Sequence, residues 1–291
     1  MAEINIPSSV VSIGENSFQG NVLLRIEELN LTNLTTLGSR AFDKCDIRSI
    51  KSLGKITTIP NGSGNIGVFS NNVNLSSVVL PDTLTSIGSY CFHGCTSLKT
   101  ITIPKNVTSI GGVVFGNTSL ESIVIEGDSV ALGSSVFKNL TTFTSIVGME
   151  SITSVASDCF NGCKNFAQTI NMPKLESLTG YYVFGWIASE RAENLGVITS
   201  YTTGFYYCPN LNFIRFPSTL ATFNSNAMQG CTALETLIFE AVTPPTFSGS
   251  FSTTNKSFLI YVPDESVTAY REASGWVDYA DRILPLSEFT E

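Results

Sequence analysis

The chain has 291 residues, 43% of them hydrophobic and only 14% charged, with a formal net charge of -8. That length and apolar share are enough for a large core and exclude a disordered chain. The 16 Lys and Arg residues are scattered, which excludes a nucleic-acid partner, because neutralising phosphates takes clustered cations.

Ser, Thr, Asn and Gly fill the place of the missing charges, so the surface is neutral and polar, a composition common in extracellular proteins. The opening stretch MAEINIPSSVVSIG lacks the charged-then-apolar pattern of a secretory signal and begins in mid-pattern. This predicts that a targeting segment has been removed ahead of it. No apolar run approaches the roughly 18 to 20 residues needed to span a bilayer.

From the first residues onward one template recurs. LSSVVLPDTLTSIGSYCFHGCTSL from Leu75, LKTITIPKNVTSIGGVVFGNTSL from Leu98 and LNFIRFPSTLATFNSNAMQGCTAL from Leu211 all read L-x-x-I-x-I-P-x-x-V-x-x-I-G-x-x-x-F-x-x-C-x-x-L. The aromatic series is Phe18, Phe42, Phe69, Phe92, Phe115, Phe137, Phe160, Phe184, Phe205, Met228 and Phe251, in steps of 21 to 27 residues. An apolar residue stands five before it at Ile13, Leu37, Ile87, Ile110, Leu132, Val155 and Phe223. A repeat of 20 to 29 residues with L-x-x-L-x-L spacing is the leucine-rich-repeat signature.

Each coil supplies a short strand. In KTITI the alternation sends Ile101 and Ile103 inward and Thr100 and Thr102 outward. Pro104 ends the strand because it has no N–H for the ladder. VTSIG returns across the coil, Gly111 allows the turn, and Phe115 plugs the interior. The expected fold is a β-rich solenoid of the leucine-rich repeat type, about eleven stacked coils of ~23 residues, with a helix-containing C-terminal cap. Residues 1–257 make the solenoid and 258–291 a capping strand, helix and tail of the same continuous domain. The cap helix is expected to start with Asp264 as N-cap and run to about Ser274, with Val267, Tyr270 and Ala273 on one face. Trp276, Tyr279 and Ile283 add apolar cover.

The stretch YCFHGC at 90–95 places the only histidine between two cysteines. Cys45, Cys95, Cys163, Cys208 and Cys231 all stand three residues after the aromatic, while Cys91 and Cys159 stand one before it, where other coils carry Ala41, Val68, Val114 and Val136. Cysteine that interchanges with Ala and Val reads as a small buried hydrophobe. Only Cys208 and Cys231 lie in adjacent coils of one column, within disulfide reach, and that bond stays open on the sequence. Zinc spacings are absent, His93 is expected to face solvent, and no metal, cofactor or catalytic constellation is expected. GSGNIG at 62–67 has the glycines of a phosphate loop but no following helix.

Binding is then expected on the outward strand positions. Ser77, Thr100, Ser122, Ser145 and Thr169 form a column of small hydroxyls beside Val79, Thr102, Val124, Val147 and Asn171. Later coils change character: Phe213 and Arg215 project from these columns, and the irregular neighbouring coil brings Tyr181, Tyr182, Trp186, Arg191, Tyr206 and Tyr207. Aromatic and Arg residues are the usual anchors of interfaces, so Phe213, Arg215, Tyr206, Tyr207, Trp186 and Arg191 are the candidate ligand-binding residues.

The L-x-x-I-x-I-P, I-G-x-x-x-F and F-x-x-C elements, with TPPTFSGSF and FLIYVPDESVTAYREASGWVDYADRILPL near the end, resemble the BspA-like leucine-rich repeat proteins over nearly the whole chain. The resemblance implies a bacterial protein, secreted or displayed at the cell surface, and a non-catalytic adhesion or protein-interaction module. Its outward strand face would bind host matrix, cell-surface or other macromolecular partners, protein or glycan. Two alternatives stand beside it: a structural spacer or scaffold segment of a larger surface protein, and a glycan-binding accessory using the aromatic patch. The stretches near 60 and near 190 break the template, and the path of those coils stays open.

Overall fold

The computed structural model describes all residues except 1, 4, 203, 252–256 and 291. It divides into two compact units, Met1–Ser151 and Ile152–Glu291. Both are stretches of parallel β-solenoid of the leucine-rich repeat type, about 12 turns among the described residues.

In the first unit the strands after the leucine slot run parallel. Leu24–Asn30 pairs with Asp46–Ser52, and Asp46–Ser52 with Ser77–Val78. Thr100–Ile103 pairs with Ser122–Ile125, and Ser122–Ile125 with Ser145–Val147. Thr100 and Thr102 are exposed and Ile101 and Ile103 buried, the alternation expected of a strand with one face in a core. A second ladder of two- and three-residue strands registers Ile59, Ile87, Ile110 and Leu132 against one another. These are the apolar residues that return across each coil.

Between the two ladders runs a column of phenylalanines. Phe18, Phe42, Phe69, Phe92, Phe115 and Phe137 stack ring on ring with centroids 5.1 to 6.1 Å apart and planes within 10°. Offset stacking of this kind is favourable beyond area alone. The long coil before Phe69 keeps register because Ile59 holds the apolar slot and a two-residue turn absorbs the extra chain. Ser63 and Ile66 exchange two backbone hydrogen bonds around Gly64 and Asn65, both at positive φ. This is a miniature hairpin, with no cradle for a phosphate.

Gly111 is not left-handed, contrary to the turn expected there. A Cβ at this position would come within 2.5 Å of the Ser89 nitrogen, so glycine is required because neighbouring coils touch backbone to backbone. The left-handed positions lie two residues before and two after the aromatic instead. The latter slot holds Gly20, Lys44, Asn71, Gly94, Asn117 and Asn139 in this unit.

All seven cysteines are free and buried, Cys208 and Cys231 included. Their slot has a further role that hydrophobicity does not capture. The thiol of Cys95 donates to the Phe69 carbonyl of the preceding coil at 3.2 Å, and Cys45 donates to that of Phe18 at 3.1 Å. In the same slot the Asn72 amide donates to the Phe42 carbonyl at 2.8 Å. The position is an inter-coil donor slot, which explains why Cys and Asn replace each other. Burial pushes the Cys45 thiol up to about 11 and the Cys95 thiol up to about 12, so both stay protonated and able to donate.

His93 does not face solvent. The residue is 8% exposed, Nε2 lies 3.2 Å from the Asn117 amide, and the ring meets Tyr90 edge-on. Gly116 in the next coil explains the burial: a Cβ there would stand 2.8 Å from His93 Cδ2, and the imidazole uses the room that glycine leaves.

In the second unit Ile170–Asn171, Arg191–Glu193, Phe213–Phe216, Thr236–Phe239, Leu259–Val262 and Ile283–Pro285 form one parallel sheet. The irregular stretch near 190 therefore keeps its strand. The coil before Phe205 is short, and Tyr201, four residues before that aromatic, pairs in register with Phe223 and fills the apolar slot. Its hydroxyl accepts from the Phe205 N–H at 2.9 Å.

The chain after 263 differs from the single helix expected. Asp264–Ser266 is a 3-10 turn and the α-helix is Val267–Glu272. Asp264 caps nothing there, because its carboxylate accepts from the Ser287 N–H at 3.0 Å and fastens the tail. Trp276 and Tyr270 are fully buried, and each satisfies its polar atom on a carbonyl: Trp276 Nε1 donates to Pro245 and the Tyr270 hydroxyl to Ala241, both at 2.8 Å.

Candidate functional site

On the first unit the outward columns are in register. Ser122 lies opposite Thr100 on one side and Ser145 on the other, and Val124 likewise opposite Thr102 and Val147. Val79, Val124 and Val147 are exposed apolar residues on this face. A shallow groove of about 260 Å³ runs among Ser77, Thr100, Thr102, Ser122 and Val124. It is bordered by exposed ion pairs, Lys99 with Glu121 at 2.9 Å and Lys51 with Glu28 at 3.3 Å, of the kind that contributes little to stability. The groove itself is uncharged.

The six residues singled out in the sequence lie on the second unit and fall into two groups. Trp186, Tyr206 and Tyr207 belong to the turns around the aromatic column. Trp186 N donates to the Tyr206 carbonyl at 2.9 Å and Tyr207 N to the Gln229 carbonyl at 2.7 Å, which sets successive turns side by side. Trp186 and Tyr207 stack with centroids 5.5 Å apart and planes 6° apart. Tyr206 meets both edge-on, at 5.3 and 4.7 Å, and Tyr182 packs 4.8 Å from Tyr206. Tyr181 adjoins Tyr182, so five aromatic rings form one cluster.

Three of these residues sit in left-handed backbone: Tyr182 at φ 53°, Trp186 at 55° and Tyr207 at 52°. Trp186 and Tyr207 occupy the slot two after the aromatic, which Gly162 and Gly230 hold on either side. A non-glycine residue there costs roughly 1 to 2 kcal/mol. Core packing does not require it, since Trp186, Tyr182 and Tyr207 are 38%, 41% and 42% exposed. Beside the rings is a cavity of about 220 Å³ lined by Tyr181, Tyr182, Thr202, Gly204, Tyr206, Asn226, Ala227 and Gln229, with no charged side chain. Partial desolvation and the neighbouring phenols of Tyr207 and Tyr182 hold the Tyr206 hydroxyl above its ordinary value, so it is a donor at neutral pH. Thr202, Asn226 and Gln229 were missed in the sequence. The one available signal was the departure NSNAMQG, where methionine replaces the aromatic and two amides flank it.

Arg191, Phe213 and Arg215 form the second group, on the strand face. The Arg191 guanidinium lies 4.0 Å above the Phe213 ring, while Arg215 pairs with Glu240 at 3.1 Å. Phe213 does not project as a free anchor. It is 3% exposed, because Leu284, Leu286 and Phe289 of the tail fold over Phe213, Ile238 and Tyr261 into a satellite core. An outward strand face that carries Phe213 in one column and Ile238 and Tyr261 in the next needs apolar cover, and the chain supplies its own.

Among the described residues no group of three or more His, Cys, Asp or Glu side chains is placed to hold a metal ion, and no helix is long and apolar enough to cross a membrane.

No curated protein matches the chain in sequence. Solved structures similar to it include a leucine-rich repeat protein from Bacteroides ovatus, 20% identical, covering 85% of this chain and 83% of that one with a TM-score of 0.36. A leucine rich cell surface protein from Faecalibacterium prausnitzii is 18% identical, covering 89% and 83% with a TM-score of 0.37. A leucine-rich repeat protein from Eubacterium ventriosum is 20% identical, covering 83% and 67% with a TM-score of 0.43. The BspA type leucine rich repeat region matches in 6 copies over residues 1–63, 65–189 and 192–273. By that match, across nearly every coil whose strands, aromatic column and donor slot are described above, the chain belongs to the BspA type leucine rich repeat family.

Proposed function

We propose that this chain is a non-catalytic adhesion module of a bacterial cell surface, and that it grips a protein partner through the outward strand face of the first unit. Family members are bacterial surface proteins, and the repeat is typically an interaction scaffold. The observation that carries the proposal is the register of Val124 with Thr102 and Val147, which lines exposed apolar and hydroxyl side chains into continuous uncharged columns. Exposed apolar rows rimmed by charge mark contact surfaces, and the flanking ion pairs would set orientation more than affinity. The parallel ladder keeps the surface rigid, so little ordering entropy opposes binding.

Binding of the purified chain to a panel of extracellular-matrix proteins tests this. At least one should bind, and Val124→Lys together with Val147→Lys should weaken it at least about tenfold, equivalent to roughly 1.4 kcal/mol. Binding that survives both substitutions removes this face from consideration. Absence of binding to every protein favours the spacer reading.

A further inference from the structure

We propose that the aromatic turn of the second unit is a carbohydrate site, and that its ligand is an uncharged pyranose residue of an oligosaccharide, with the indole of Trp186 as its stacking surface and Tyr207 as the ring that backs it. The site lies on residues other than the strand face of the first unit and does not depend on that reading.

Three observations converge on it. The first is backbone conformation. Trp186 and Tyr207 stand in a left-handed slot that Gly162 and Gly230 fill in the coils on either side, yet their side chains remain more than a third exposed. The slot is left-handed throughout the repeat and takes Gly, Asn or Lys in other coils, so what sets these two coils apart is a large aromatic side chain there that stays partly exposed. The second is ring geometry. The Trp186 indole stacks on the Tyr207 ring, which itself lies against Gly230, and Tyr206 braces both edge-on, so the partly exposed indole is held in a fixed orientation. The faces of aromatic rings are electron-rich, and the axial C–H bonds of a pyranose are polarised to meet them.

The third is the adjoining cavity. Neither Trp186 nor Tyr207 lines it, but Tyr206, which touches both, does. The cavity volume of about 220 Å³ lies below the range for drug-sized ligands and suits a single sugar ring beside the indole. Its polar groups are the Thr202 and tyrosine hydroxyls and the Asn226 and Gln229 amides, each able to donate and accept. Sugar hydroxyls need both roles at once. With no charged group in the lining, and with the Asp158 carboxylate held by Asn161 one coil away, an anionic ligand gains nothing here. A protein hot spot would seat a charged or apolar anchor in a desolvated pocket, whereas this lining is open and rich in hydroxyl and amide groups.

The chain contains two tryptophans, and Trp276 is fully buried with its Nε1 donating to Pro245. Fluorescence change on ligand addition therefore reports Trp186. Titration of the whole chain with xylohexaose, cellohexaose, mannohexaose and chitohexaose should give a saturable change with at least one, at a dissociation constant on the order of 0.1 to 1 mM. Trp186→Asn, which adopts a residue type that other coils place in this slot, should keep the cooperative melt and weaken binding about tenfold or more by calorimetry. Tyr207→Asn, with Trp186 still present as reporter, should do the same. No saturable change with any of the four sugars overturns the proposal. So does binding undiminished in both variants, or capture of a matrix protein lost in both variants while no sugar binds.

Discussion

Phe289 lies against Phe213 with ring centroids 5.8 Å apart, and Arg191 covers the same ring at 4.0 Å. A side chain expected to meet a partner is thus already occupied by the chain that carries it. Phe213→Ala should cost roughly 2 to 3 kcal/mol by loss of apolar burial. It should also free the tail, so hydrogen exchange at the amides of Ser287 and Phe289 accelerates. Phe289→Ala should release the same amides with a smaller loss in global stability. Unchanged protection in both would mean that the satellite core does not hold the tail.

The donor slot makes one chemical change behave differently at two cysteines. Cys91→Val follows what Val68, Val114 and Val136 already do in that column, and should shift the melting free energy by no more than about 1 kcal/mol. Cys231→Val removes the thiol that donates to the Phe205 carbonyl at 3.3 Å, leaving a buried acceptor with one donor fewer, at about 1 to 3 kcal/mol. Chemical denaturation of the two variants decides it. Equal losses would return the slot to plain hydrophobic filling.

His93 gives the fold an acid-sensitive step. Burial holds its pKa below 6.5, so the folded state keeps the ring neutral while the unfolded chain protonates near that value. Between these two pKa values the unfolded state binds more protons, and stability falls as pH drops from about 6.5, by at most about 1.4 kcal/mol per pH unit. Below the folded pKa the loss levels off. Above 6.5 the full stability is present. In His93→Asn the segment of the stability profile between pH 6.5 and the onset of carboxylate protonation should flatten, as read by urea midpoints across pH. A wild-type profile already flat there would exclude the effect.

The coil architecture was legible because its cause is repetition: Phe115 and Ile110 must meet Phe92 and Ile87 above and Phe137 and Leu132 below, and that demand writes itself into every copy. What repetition could not disclose were exceptions that act between copies. The burial of His93 depends on the absence of a side chain at Gly116, and the role of Cys95 depends on a carbonyl 26 residues earlier. The aromatic turn was visible as composition, yet its stacking surface depends on backbone dihedrals that composition does not record. Phe213 misled for a different reason. Alternation gave its face correctly, but the cover comes from a segment some 70 residues away whose docking leaves no local pattern.

Tyr201 carries a wider implication. Its phenol oxygen accepts the Phe205 N–H in a coil that is short of chain, so a side chain stands in for the main chain. Copies of unequal length can then be spliced into such a protein without losing step. Genetic shuffling of whole windings would be tolerated, and new surface turns, the aromatic one among them, can be trialled while the interior stays in phase.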